Sequence, residues 1–250
     1  QDKKKFMSIM CKCQNTVFQL NKFLFIYKMK KAKYGCETDM YLNPISEKNK
    51  NVVAILHENT KYLFTVCDVK KIVQKSLANS DEMYSDPLPI KNPYNNLPFS
   101  KSNLYTLYFF IKKSDYVMPV LFHNYFLSNF CISSLHDNNQ TYLRSIAINQ
   151  ILTCEYSQES QIDYIHAMIE DYNLRHKQDS IIIDTEFPSN LLLKVFLPFL
   201  KYYLKGEYSL CNSERMDNRL IINAMLFNFK KNNPIFGRKY FINEYDTHIQ

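Results

Sequence analysis

Asp163, His166 and Glu170 are spaced three and four residues apart, so a helix through them puts all three on one face. Such a set can ligate a metal. The carboxylate bundles that do so need a second matching helix and further carboxylates, and no other such pair occurs in the chain. The exposed polar face of an amphipathic helix accounts for the spacing better. Cys11-Lys12-Cys13 places two thiols near Cys36, but structural zinc sites pair cysteines across two to four residues and need a second pair. Nucleophilic catalysis needs a thiol or hydroxyl beside a histidine and an orienting group. Cys67, Cys131 and Cys154 sit in apolar contexts that favour burial, and His57 and His136 read as loop residues. Three isolated glycines build neither a phosphate-cradling loop nor a nucleophile turn. One local signal remains, Phe236-Gly237-Arg238-Lys239. There a glycine followed by Arg238 and Lys239 can hold an anion, or form a turn with solvated charges. These residues predict no catalytic site, no cofactor, no metal and no small-molecule substrate, and hence a protein that is not an enzyme.

Charge is the more informative property. The 250 residues carry a formal net charge of +7. Residues 1–35 hold nine lysines against Asp2 alone, and the remainder is close to neutral. A basic N-terminal arm fits nucleic acid, an anionic membrane surface or an acidic protein. Its candidate contacts are Lys22, Lys28, Lys30, Lys31 and Lys33, with Arg238 and Lys239 as a second group. Abundant Asn, Lys, Ile, Tyr and Phe, with three Gly and no Trp, indicate an A/T-rich genome, which lowers the functional weight of lysine abundance as such. Seven cysteines at irregular spacing do not form a disulfide framework, so reduced thiols are expected. The most apolar early run, residues 23–27, falls far short of the roughly 20 residues that a membrane span needs.

The elements that would position these residues are mainly helical. Residues 1–13 read as a charged lead-in and 14–33 as a helix, with Val17, Leu20, Leu24 and Tyr27 on one stripe, Phe18, Phe25 and Met29 beside it, and Gly35 as the cap. That apolar face is wide, which favours burial against protein. After a polar connector at 36–51, residues 52–56 and 61–66, separated by His57-Glu58-Asn59-Thr60, read as a hairpin or as two strands of a small sheet. Asp68 stands where an N-cap belongs. Four prolines in 85–100 make an extended segment apolar enough to pack on the body. Helices follow at 104–112, 118–130, 140–154, 158–176, 188–204 and 212–231, with residues 181–183 as a short strand, Pro198 as a kink and Gly206 as a stop. The expected fold is therefore mainly α, a helical globular body with a small β-hairpin or short sheet near the N-terminal third. The expected division is 1–35 (basic arm), 36–99 (small α/β part with a Pro/Asn-rich connector) and 100–250 (helical domain).

Several stretches resemble a family of uncharacterised proteins of large double-stranded DNA viruses of algae and protists, the nucleocytoplasmic large DNA viruses. The longest is DPLPIKNPYNNLPFSKSNLYTLYFFIK, residues 86–112. Shorter ones are TDMYLNPI (38–45), LFHNYFLSNF (121–130), IDTEFP (183–188) and NPIFGRK (233–239). The resemblance carries no catalytic motif. It implies a virion structural protein, a minor capsid or capsid-associated component, with other virion proteins as partners and the particle or the host cytoplasm (the viral factory) as its location. The alternative is a nucleic-acid-binding accessory protein of that factory, acting through the basic arm. Within the longest stretch, Pro and Asn set a defined turn, and Tyr94, Tyr105 and Tyr108 read as packing residues whose hydroxyls need partners.

Overall fold

A computed structural model describes residues 2–153 and 158–239. The protein is mainly α, with eight helices, one three-stranded sheet and one two-stranded hairpin among the described residues. The chain divides into two compact units. Unit 1 holds residues 1–77 and 87–135; unit 2 holds residues 78–86 and 136–250. The line expected at 99/100 therefore runs inside unit 1, because the helix that follows it packs on the β-hairpin of the 36–99 part.

In unit 1 the order is α1 (Asp2–Lys31), β1 (Lys33–Cys36), β2 (Val52–His57), β3 (Thr60–Thr65), α2 (Val66–Leu77), α3 (Lys101–Lys113) and α4 (Val120–Leu127). The hairpin forms where the two β-rich runs predict it. Its two-residue turn, Glu58-Asn59, has positive φ at both positions (50° and 59°), the twist that matches flanking strands. Strand β3 is central, paired antiparallel to β2 and parallel to β1. The charged lead-in is not separate from the helix, since α1 runs through it from residue 2. Gly35 does not cap that helix. It lies in β1 at a bulge, where the register slips between Tyr34 and Cys36, and a Cβ there would meet the Tyr62 ring at 2.5 Å. Nor is Asp68 the N-cap of α2. Thr65 and Asp68 form a reciprocal capping box: the Thr65 amide donates to the Asp68 carboxylate (3.0 Å) and the Asp68 amide to the Thr65 hydroxyl (3.1 Å).

The Pro/Asn segment packs as expected. The Asn92 amide donates to the Leu97 carbonyl and the Phe99 amide to that of Ile90, which closes the turn. His57 is not a loop residue. It ends β2, is buried, and takes the amides of Asn92 (3.2 Å) and Asn95 (3.1 Å) on Nδ1. Backbone amides hold the other ends of both asparagines, so Nδ1 accepts and Nε2–H donates to the Pro98 carbonyl (3.2 Å). The three tyrosine hydroxyls find partners: Tyr94 the Thr38 carbonyl, Tyr105 the Asn129 amide oxygen, and Tyr108 His123 Nδ1. Burial raises the Tyr94 hydroxyl far above its usual pKa. Ser100 caps α3 through the Asn103 amide, and Tyr108 stacks on Phe126 of α4 with ring centroids 4.0 Å apart.

Unit 2 takes the hairpin β4 (Ser80–Asp81) and β5 (Tyr84–Ser85), most of α5 (Ile132–Ile151), then α6 (Gln158–Arg175), α7 (Ser189–Tyr208) and α8 (Asn212–Asn232). The helix expected at 140–154 is the second half of α5, whose dihedrals break at Asn139, and Cys154 lies outside the described residues. His136 is helical rather than in a loop. The hairpin inserts Met83 into the core of Ile148, Ile165, Tyr172, Phe196 and Leu204. Residues 181–183 form no strand. Asn173 supplies the pairing instead, its amide donating to the Ile181 carbonyl (2.8 Å) and its oxygen accepting the Ile181 amide (2.7 Å). Helix α7 runs through Pro198 and past Gly206 to Tyr208. Gly206 serves close packing instead: a Cβ there would stand 3.1 Å from Arg219 Cγ and 3.3 Å from its backbone nitrogen.

Candidate functional site

The exposed cations and apolar side chains of the arm converge on one element, the helix α1. Its 30 residues span about 45 Å at the helical rise, and none of them is buried. Phe6, Val17, Phe18, Leu20, Phe23 and Leu24 are each more than half exposed. Lys22, Lys28, Lys30, Lys31 and, just beyond the helix, Lys33 are exposed as well. Among the described residues none of these lysines pairs with a carboxylate. Lys31 instead lies over the Tyr27 ring one turn back (4.9 Å). A bare helix is marginal in water even with good propensity, and most helical stability comes from packing an apolar face. This row of exposed apolar side chains makes α1 the candidate site of the molecule.

What holds the arm is β1, one residue after α1. Tyr34 donates to the Glu47 carboxylate (2.7 Å), and Lys61 reaches the same oxygen (3.3 Å) while lying over the Tyr34 ring (4.8 Å). The Tyr34 hydroxyl first, and Lys61 after it, hold the Glu47 carboxyl below its ordinary range against the opposing effect of burial. Neither Tyr34 nor Glu47 stands out in the sequence, because their separation of 13 residues follows no local period.

The second cationic pair divides. Lys239 is paired with Glu186, while Arg238 is exposed. Gly237 is there for the backbone: its φ is +79°, a Cβ would meet Ile183 Cδ1 at 2.5 Å, and its carbonyl accepts the Asp184 amide (2.8 Å). The turn thus fastens the segment after α8 onto residues 182–184. It does not present Arg238 and Lys239 together as an anion cradle.

The helix-face set is partly assembled. His166 and Glu170 line an open groove of about 430 Å³ with Asn173, Lys177 and Ile181, and neither Asp163 nor a cysteine lines it. Among the described residues no three His, Cys, Asp or Glu side chains cluster as metal ligands. Cys67 and Cys131 are exposed rather than buried; they stand at the starts of α2 and α5, where the neighbours Val66 and Phe130 are buried instead. The Ser133 and Ser134 hydroxyls, with the Ser134 amide, pull the Cys131 thiol down to about 7. Among the described residues no helix is long and apolar enough to cross a membrane. Comparison with family models, with curated proteins and with solved structures returns no match.

Proposed function

We propose that this chain is a structural, non-enzymatic component of a large DNA virus particle, a minor capsid or capsid-associated protein that attaches to its neighbours through α1. The observation that carries the attachment is a 30-residue helix that buries none of its residues while exposing aromatic and aliphatic side chains along its length. Segments of this kind order or bury their surface on assembly. The location in a virion rests on the resemblance of residues 86–112 and the shorter stretches to the viral family. Mass spectrometry of purified, protease-shaved particles tests it: the chain should be enriched over the infected-cell lysate, and its absence from particles would overturn the reading.

The lysine surplus of residues 1–35 favours a second reading, a nucleic-acid-binding accessory protein of the viral factory. In that case binding to DNA or RNA weakens steeply with salt and disappears when residues 1–35 are removed. A truncated chain that bound equally well would eliminate it.

A further inference from the structure

The exposed face of α1 has a regular pattern. From Phe6 the apolar residues recur at alternating steps of four and three: Met10, Cys13, Val17, Leu20, Leu24 and Tyr27. All are exposed. In heptad terms Met10, Val17 and Leu24 take the a positions, and Phe6, Cys13, Leu20 and Tyr27 the d positions. A helix packed once on a globular body follows a period of 3.6. An unbroken 3.5-residue repeat over three heptads has the spacing of a coiled-coil seam, although Phe18, Phe25, Ile26 and Met29 also stand apolar off it. The seam extends about 33 Å, at 1.5 Å per residue.

Charge says what covers it. The single acidic residue of α1, Asp2, takes the g position outside the N-terminal end of the seam, and no acid lies between Phe6 and Tyr27. The e positions are Met7, Gln14, Asn21 and Lys28, the g positions Ile9, Thr16, Phe23 and Lys30, and Lys3 and Lys31 occupy the a positions just outside. A second copy aligned in parallel sets each lysine cluster against its twin. Aligned antiparallel, it sets Lys3 and the net positive N-terminal end, Asp2 included, against Lys28, Lys30 and Lys31. Either arrangement is repulsive at both ends. Phosphates would engage Lys4, Lys5, Lys12 and Lys22, which lie off the seam, and would leave its apolar side chains in water. We propose that α1 pairs through this seam with an acidic amphipathic helix of a partner protein, in a two-stranded coiled coil. The proposal rests on the reading of α1 as an attachment element, and it names the chemistry of what α1 attaches to.

The probe is a labelled synthetic helix of about four heptads with Ile at a, Leu at d and Glu at e and g, titrated against the full chain by fluorescence anisotropy. A second peptide carries Lys at e and g. The Glu peptide should bind one to one and at least about tenfold tighter than the Lys peptide. Val17→Asp, Leu20→Asp and Leu24→Asp should each weaken it by about tenfold or more. Phe18→Asp and Phe25→Asp, off the seam, should change it less than about threefold. Because α1 buries nothing, these variants keep the fold, which circular dichroism verifies. Equal binding of the two peptides overturns the proposal, as does loss with Phe18→Asp equal to that with Leu20→Asp. Self-association abolished by the seam variants would make the occupant a second copy and overturn it. Tight binding to duplex DNA that ignores the seam variants, without peptide binding, would also overturn it. Peptide binding by a chain absent from particles keeps the pairing and removes the virion location; presence in particles without peptide binding does the reverse.

Discussion

Helices α1 and α7 are built from similar residues, since both mix Leu, Phe and Tyr with scattered lysines. Yet α7 buries Leu192, Leu193, Phe196, Leu200, Tyr203 and Leu204, whereas α1 buries nothing. The difference lies in what each meets. Helix α7 lies against α6 and α8. The Asp171 carboxylate accepts its Tyr203 hydroxyl (2.7 Å), and Arg219 donates to the Gly206 carbonyl (2.9 Å). Around α1 no element supplies such partners among the described residues. Apolar content therefore says that a helix needs covering. Whether its own chain provides the cover depends on complementary residues elsewhere.

The sharpest way to break this comparison is to truncate one side chain from each helix. Phe196→Ala should lower unfolding free energy by about 3–5 kcal/mol, because the ring is fully enclosed and leaves a cavity. Leu24→Ala should change it by no more than about 0.5 kcal/mol, as for other surface positions. Denaturant titration of both variants decides. A comparable loss at Leu24 would mean that α1 packs on its own chain.

Gly237→Ala probes how the segment after α8 is fastened. The positive φ and the 2.9 Å approach to the Ile182 carbonyl should together cost about 1–3 kcal/mol. Thermal melting checks it, and a neutral result would mean that the turn is not needed to close unit 2.

The smallest effect concerns the anchor of α1. Because the folded state lowers the Glu47 pKa, the stabilisation from this group is complete above the ordinary carboxylate range and is lost as pH falls through the lowered value. Tyr34→Phe removes the hydroxyl that does most to lower it. Its stability deficit in urea titrations should be present at neutral pH and shrink in acid. A deficit independent of pH would show that Tyr34 acts by packing alone.

What the residues revealed in advance was whatever is encoded locally. The hairpin was legible because two β-rich runs flank a short polar break, although His57 and Thr60 pair within the strands and leave only Glu58-Asn59 to turn. Helix α3 was legible, its span Lys101–Lys113 enclosing the expected 104–112, and the helix-face pairing of His166 with Glu170 follows from their spacing of four. Distant partnerships were not legible. Lys33-Tyr34-Gly35-Cys36 becomes a strand only because β3, some 27 residues later, accepts it in parallel. Residues 181–183 have strand propensity, but their partner is the side chain of Asn173 rather than another strand. The interleaving of the units depends on where residues 78–86 pack, through Ser80 and Ala78 with Gln150. At the arm, the lysines and apolar residues were plain from composition. The Tyr34–Glu47–Lys61 anchor was not.

The parallel pairing of β1 with β3 has a mechanical consequence. One residue separates α1 from β1, so tension on a docked α1 is delivered to the strand end. A pull along the strand axis slides β1 past β3 and stretches their hydrogen bonds together, instead of opening them one by one as in a zipper. The bulge at Gly35, with the Tyr62 ring filling the space a side chain would occupy, acts as a catch against that sliding. The arm is thus joined to unit 1 in a way suited to bearing load.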